Sequence, residues 1–164
     1  MYWSQGDSDG SDLGVKWSGI EKRSSEEQYR WRNMSYFFAR LSKEGKEDLC
    51  WISALRSLEP SRRIPKNVPG WSGFLAGQAI TAAQWIIPEG HGAWVRKKFL
   101  EAVPSGKLSE DTRYYFMIEK WDVWKAAFVE LAELQGDVRV PKEAIEAATK
   151  SVEIMRYLEI EVHG

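Results

Sequence analysis

The feature that most restricts the fold of this chain is the aromatic segment RYYFMIEKWDVWKAAFVEL at residues 113–131. One set of its apolar side chains recurs every three or four residues, which places the set on one face of an α-helix. The set consists of Tyr114, Met117, Trp121, Trp124, Phe128 and Leu131. It is shorter than the roughly three heptads that a coiled coil requires. We therefore predict a long aromatic-rich helix, capped at Ser109 and ended by Gly136, whose stripe packs in a helical core.

Three more apolar residues, Tyr115, Phe116 and Ile118, lie beside this stripe and widen it. A helix with one side in water would not need them. Either several helices surround the aromatic helix, or part of it meets another chain or a ligand.

Helical periodicity continues through the rest of the chain and predicts an all-α, single-domain array of about six helices, with the aromatic helix as the fifth. The others are expected in residues 24–43, 47–59, 72–87 and 93–103 and from Pro141 onward. The third is rich in alanine and apolar on more than one face, so we expect it to be central and buried. No run alternates with period two for long enough to form a central strand.

The first predicted helix begins at a capping box, either Ser24 with Glu27 or Ser25 with Gln28, and ends at Gly45. Its apolar face follows the i, i+3, i+4, i+7 spacing of a helix. That face consists of Met34, Phe37, Phe38 and Leu41. Residues 1–23 are acidic and rich in Ser and Gly, and we predict a flexible tail that Trp3 and Trp17 could dock on the helical domain of residues 24–164.

Charge and cysteine content narrow the class of protein. With 23 basic and 24 acidic residues the formal net charge is −1, so the chain has no general attraction to nucleic acid or to an anionic membrane. Cys50 is the single cysteine, which excludes an internal disulfide framework. No secretory signal is recognisable, and the most apolar run falls short of the ~20 residues that span a bilayer. We expect an intracellular protein, cytoplasmic or nuclear, that is not secreted and has no membrane partner.

Five blocks in a fixed order carry a family resemblance: MSYFFARLSKEG, CWISALRSLE, AITAAQWII, EKWDVWKAAFVELAE and EAIEAATKSVEIMRYLE. On these blocks, across residues 34–159, the chain resembles an uncharacterised family of helical proteins from ascomycete fungi, a domain of unknown function. The second block departs from the family's Trp-Ala-Leu-Arg pattern, and EGHGAWVRKKF matches it poorly. The resemblance implies an intracellular fungal protein and implies no particular reaction.

Side chains with catalytic or metal-binding potential are few. Glu89 and His91 in the PEGHG segment are weak acid–base candidates, but no nucleophile or third group accompanies them. An exposed loop histidine is the favoured interpretation of His91. The two histidines, His91 and His163, and Cys50 lack the spacing of zinc ligands, so we predict neither a metal site nor a cofactor.

Two sets of residues are candidates for binding sites. An aromatic-walled pocket between helices would be formed by Trp85, Trp94, Tyr115, Trp121 and Trp124. Single-stranded nucleic acid would require a basic patch on one face, formed by Arg62, Arg63, Lys66, Arg96, Lys97 and Lys98. The nearly neutral net charge argues against the second possibility.

An excess of aromatic surface without a catalytic constellation favours a non-catalytic protein that acts by protein–protein interaction, with another protein or with itself. The first alternative is a small-molecule-binding protein or enzyme that uses the aromatic-walled pocket. A cavity larger than about 300 Å³ near those tryptophans would support it. The second alternative is binding of single-stranded nucleic acid through the basic patch.

Overall fold

The computed structural model describes residues 24–45, 53–59, 66–67, 71–101 and 118–161. Regular structure in these ranges is helical throughout, with no strand. The helices are α1 (Ser24–Lys43), α2 (Trp71–Ala83), α3 (His91–Glu101), α4 (Glu119–Ala132) and α5 (Lys142–Glu161), and one helical turn spans Ser53–Arg56. The all-α prediction is confirmed.

The predicted number of about six helices stays a prediction, because the second predicted helix is described only at the Ser53–Arg56 turn. The aromatic helix is described from Glu119 onward, as α4. Its predicted first half, with Tyr114, Tyr115, Phe116 and Met117, lies outside the described residues. The same holds for the predicted tail and its Trp3 and Trp17.

Glycines end two helices where the sequence predicts it. Gly45 follows α1 with φ +72°, and Gly136 follows α4 with φ +100°, a left-handed conformation that a glycine adopts without steric cost. At the start of α5 the carbonyl of Pro141 accepts hydrogen bonds from the backbone N–H groups of Ala144 and Ile145. Pro141 therefore stands immediately before α5, within one residue of its predicted place.

Helix α2 is the centre of the bundle, as predicted. Every residue of α2 except Gly73 and Thr81 is buried, and α2 packs against α1, α5 and the Ser53–Arg56 turn. Its small residues Ala76, Ala79 and Ala82 have no exposed surface, which lets the neighbouring helices approach closely.

The most extensive helix pair is α4 with α5. Trp121, Trp124, Phe128 and Leu131 of the predicted stripe are each at most 2% exposed, and α5 supplies a complementary buried face. That face consists of Ala144, Ala148, Ser151, Val152 and Met155. The prediction that the stripe forms core is confirmed for its four described members.

Polar contacts inside the bundle fix the helices in place. The ammonium of Lys120 in α4 lies 3.2 Å from the carboxylate of Glu59, with both side chains about nine-tenths buried. The hydroxyl of Ser35 in α1 donates to the carbonyl of Thr81 in α2 at 2.7 Å and accepts from the indole nitrogen of Trp85 at 3.0 Å. None of the described helices is long and apolar enough to cross a bilayer.

Candidate protein-binding face

Helix α1 buries a different side from the one that its large apolar residues define. Ser35, Ala39 and Ser42 are buried at no more than 6% exposure, whereas the side chain of Phe37 is 54% exposed. Met34, Phe38 and Leu41 are half-buried. The small residues face α2, to which Ser35 is hydrogen-bonded, so the two helices pack closely and Phe37 is left on the outside.

We define the α1 face as the side of α1 that centres on Phe37. At about 100° per residue, its side chains fall within an arc of about 120°. They are Arg30, Asn33, Met34, Phe37, Arg40, Leu41 and Glu44. The arc has Met34 and Leu41 on one flank and Asn33 and Arg40 on the other. An apolar centre with charged ends is the usual anatomy of a protein-binding surface.

Charged groups at the C-terminal end of the α1 face are paired with each other. The Arg40 guanidinium Nε donates to the Glu44 carboxylate at 2.9 Å, one turn further along. This hydrogen bond, with the charge of Glu44, raises the pKa of Arg40 above its ordinary value. Arg32, on the side of α1 away from the face, lies 3.4 Å from Glu143 of α5. The Arg40–Glu44 pair thus stabilises the end of α1 itself, whereas the Arg32–Glu143 contact connects α1 to α5.

His91 holds the other side of α1. The ring of Tyr36 stacks on the imidazole of His91 with 5.8 Å between centroids, and the Lys43 ammonium donates to the backbone carbonyl of Glu89 at 2.8 Å. His91 Nδ1 lies 2.9 Å from the carbonyl of Gln84, which can only accept, so Nδ1 carries the proton. Burial lowers the pKa of His91, and the nearby cations of Lys43 and Arg40 act in the same direction.

The interpretation of His91 as an exposed loop histidine is therefore wrong. His91 is only 4% exposed and is the first residue of α3, which begins two residues before its predicted start. Glu89 is exposed, and the partner of the His91 ring is a backbone carbonyl rather than the Glu89 carboxylate. The His91 ring and the backbone carbonyl of Glu89 both contact α1. Within the described ranges, no group of three metal-ligating side chains is placed to hold an ion.

The predicted pocket residues divide between core and partial exposure. Trp85, Trp121 and Trp124 are at most 1% exposed and so present almost no surface to a ligand. Trp94 is half-buried, with its ring 6.5 Å from that of Trp85. Tyr115 lies outside the described residues.

A groove of about 510 Å³ opens elsewhere, between the turn after α4 and the outward side of α5. Its apolar lining includes Val140 and Ile145, and its charged lining includes Asp137, Lys142 and Glu146. None of the predicted pocket tryptophans lines it. Hydrogen bonds from Arg139 lower the pKa of Asp137 to about 2, so Asp137 is an anion at neutral pH.

The basic-patch residues are distributed among separate contacts. Lys66 lies over the ring of Trp71 at 5.6 Å, and Lys98 lies over the ring of Trp94 at 5.8 Å. Lys97 pairs with Glu101 at 3.5 Å. Arg96 is half-buried. Burial raises the pKa of Glu159 in α5, but hydrogen bonds from Lys125 and Trp121 lower it below its ordinary value, and the charge of Arg96 acts in the same direction as those bonds. The remaining two residues, Arg62 and Arg63, lie outside the described part of the chain.

The sequence contains a second pattern that predicts the buried side of α1, but the spacing of the large apolar residues obscures it. Ser35, Ala39 and Ser42 recur at i, i+4 and i+7, which is also a helical stripe. Two stripes therefore compete for the core, one of large apolar residues and one of small residues. The neighbouring helix α2 is itself rich in alanine and packs closely against α1, so the stripe of small residues is the one that is buried.

Comparison with protein-family models shows a match over residues 2–128 to a family described as "Protein of unknown function (DUF3632)". Comparison with curated proteins and with solved structures returned no match. The predicted resemblance to a domain of unknown function is confirmed over this segment. It contains α1, α2, α3 and the first part of α4, whereas α5 lies beyond it.

Proposed function

The chain belongs to the family described as Protein of unknown function (DUF3632), and we propose that it is a non-catalytic protein that binds another protein chain through its α1 face. The observation that carries this proposal is the exposure of Phe37, 54%, at the centre of that face. Met34 and Leu41 lie beside it, one turn away in either direction. Large aromatic side chains at the centre of a patch with a polar rim are the usual anchors of protein interfaces.

The α1 face is also preorganised for binding. The ring of Phe37 lies 5.8 Å from that of Phe38, and the opposite side of α1 is fixed by Ser35 and by the Tyr36–His91 stack. A partner that docks there meets a helix already formed and positioned, so little conformational entropy is lost on binding.

A second pair of large apolar side chains is exposed on α5, where Tyr157 is 60% and Ile160 is 73% exposed. Three positions separate them, so they share the outward side of α5. This pair lies outside the family segment of residues 2–128, whereas Phe37 lies inside it. A function common to the family would reside within that segment, which favours the α1 face.

A photo-reactive benzophenone side chain in place of Phe37 tests the proposal. In extract of the source cells we expect it to form a discrete cross-linked adduct, and we expect replacement of Met34 and Leu41 by serine to abolish that adduct. The matched control carries the same group in place of Ile160, at a comparably exposed site on α5. Adducts at position 37 that are no more abundant than those at position 160, or that survive the serine substitutions, would contradict the proposal.

We also propose that the protein is of ascomycete fungal origin and works inside the cell. The ordered resemblance of sequence blocks supports the origin, and a single cysteine, Cys50, fits a reducing compartment. Immunodetection in fractionated cells and in culture medium tests the location. Recovery of the protein mainly from the medium would contradict it.

A further inference from the structure

We infer that the partner of the α1 face is a second copy of this chain, with the two α1 helices antiparallel about a two-fold axis that passes beside Phe37. This inference rests on the proposed function of the α1 face and specifies its partner. It follows from the order of side chains along that face, which is self-complementary when one copy is reversed against the other.

Arg30 and Glu44 carry opposite charges and lie at equal distances from Phe37 on the α1 face, and Glu44 also accepts a hydrogen bond from Arg40 of its own helix. Arg30 precedes Phe37 by seven residues and Glu44 follows it by seven, which corresponds to about 10.5 Å along the helix axis in each direction. In an antiparallel pair centred on Phe37, Arg30 of each copy is therefore level with Glu44 of the other. Both contacts bring a cation to an anion.

The flanks match in the same arrangement. A two-fold axis perpendicular to the plane of the two helices keeps each flank on its own side and reverses its direction. Met34 of one copy then lies within about one residue rise of the level of Leu41 of the other, apolar against apolar. On the other flank Asn33 faces Arg40, a hydrogen-bond acceptor against a donor.

The parallel arrangement lacks these matches. With two parallel helices about a shared axis, each residue meets its own copy. Arg30 would then face Arg30, and Glu44 would face Glu44. Like charges in direct contact oppose association, so the sequence of the α1 face selects the antiparallel pair.

The area of the α1 face sets the expected affinity of the dimer. One face of a helix over about four turns buries less than the ~1,200 Å² that stable complexes reach, so we expect a weak and reversible dimer. The dissociation constant should be on the order of 100 µM, which is accessible to sedimentation equilibrium at high protein concentration.

A disulfide trap tests the geometry. Position 37 lies at the two-fold axis, so a Phe37→Cys substitution places the new side chain opposite its own copy. Helix axes about 8–10 Å apart, less two Cα radii of about 2.3 Å, bring the two Cα atoms to about 3.4–5.4 Å, a range that overlaps that of disulfides. Cys50 is changed to serine in every variant, so that position 37 carries the reacting thiol.

With Ile160→Cys as the matched control, we expect mild oxidation to dimerise the Phe37→Cys variant faster. The ring of Phe37 is lost, but the Met34–Leu41 and Arg30–Glu44 contacts across the axis remain and raise the effective concentration of the thiols. Equal rates for the two variants would overturn the inference. Both positions are exposed, so neither substitution disturbs the core.

A charge exchange tests the register. Arg30→Glu alone and Glu44→Arg alone each place like charges opposite each other in a homodimer, so we expect each variant to be monomeric. An equimolar mixture restores both opposite-charge contacts, and we expect it to dimerise about as strongly as the wild type. A mixture that stays monomeric, or single variants that dimerise like the wild type, would overturn the inference.

The benzophenone side chain at position 37 separates this inference from the proposed function. In the purified protein at high concentration, an adduct of two copies supports the second-copy partner. If the purified protein gives none and extract gives an adduct with a different protein, the second-copy inference fails and the proposed function stands. If neither preparation gives an adduct at position 37, both fail.

Discussion

Trp121 and Trp124 lie on one side of α4 and are both at most 1% exposed, but they differ in what their indole N–H groups meet. Trp121 Nε1 donates to the carboxylate of Glu159 in α5 at 2.9 Å. Trp124 Nε1 is buried with no hydrogen-bond partner among the described residues, and its ring contacts the ring of Phe99 edge to face at 5.0 Å. A buried donor without an acceptor costs free energy, which offsets part of what the ring contributes.

Replacing each tryptophan in turn by phenylalanine compares how much each indole N–H contributes to stability. Trp121→Phe removes a hydrogen bond to a charged group, whereas Trp124→Phe removes a donor that has no partner among the described residues. Both substitutions lose the same ring volume. We expect Trp121→Phe to lower the free energy of unfolding by about 1–2 kcal/mol more than Trp124→Phe. Urea denaturation of the two variants at neutral pH measures the difference. An equal or larger cost for Trp124→Phe would contradict the assignment of these hydrogen bonds.

The ion pair of Glu59 and Lys120 predicts strong non-additivity. The two side chains are 10–11% exposed, so Lys120→Met leaves the Glu59 carboxylate buried without its cation. We expect that variant to lose about 3–5 kcal/mol of stability. Lys120→Met combined with Glu59→Leu removes both charges, and we expect the double variant to be more stable than Lys120→Met alone. Chemical denaturation of the four proteins in the cycle tests this, and simple additivity would contradict it.

His91 predicts a loss of stability at mildly acidic pH. Burial lowers the pKa of His91 from its ordinary value of 6.5, so below that value the unfolded chain binds a proton that the folded chain resists. The stability that neutral His91 contributes is complete above 6.5 and is lost as the pH falls toward its folded pKa. His91→Asn retains an N–H for the carbonyl of Gln84 and does not titrate. We expect the wild type to lose more thermal stability than His91→Asn between about pH 7.5 and 5.5, and parallel profiles would refute this.

The sequence predicts the α4 core well because a single stripe of large apolar residues leaves one choice of buried face. Trp121, Trp124 and Phe128 had no rival on the same helix, and they lie where the spacing put them. The central position of α2 follows for a similar reason, since a helix that is apolar on several sides must be surrounded.

Contacts between residues that are far apart in the chain could not be predicted from the sequence. Glu59 and Lys120 are separated by 61 positions, and neither residue shows in its local context that it will be buried with the other. His91 stands between glycines in a segment that reads as a loop, yet Gly92 lets the chain pass close to the side chains of Ile154 and Leu158 in α5. The exposed face of α1 could not be predicted, because which of its two stripes is buried depends on packing against α2.

In α1 the small residue Ser35 is buried and the large apolar residue Phe37 is exposed, the reverse of what apolar character predicts. The last prediction follows from this difference. Ser35→Ala removes one oxygen but leaves the buried indole N–H of Trp85 without its acceptor, and we expect a loss of about 1–3 kcal/mol. Phe37→Ala removes a whole aromatic ring from a side chain that is 54% exposed, and we expect a cost below about 1 kcal/mol. From apolar character alone the opposite order would follow. Thermal and urea unfolding of the two variants, side by side, decide the order. If Phe37→Ala is the more destabilising, Phe37 belongs to the core and the α1 face is not free to bind a partner.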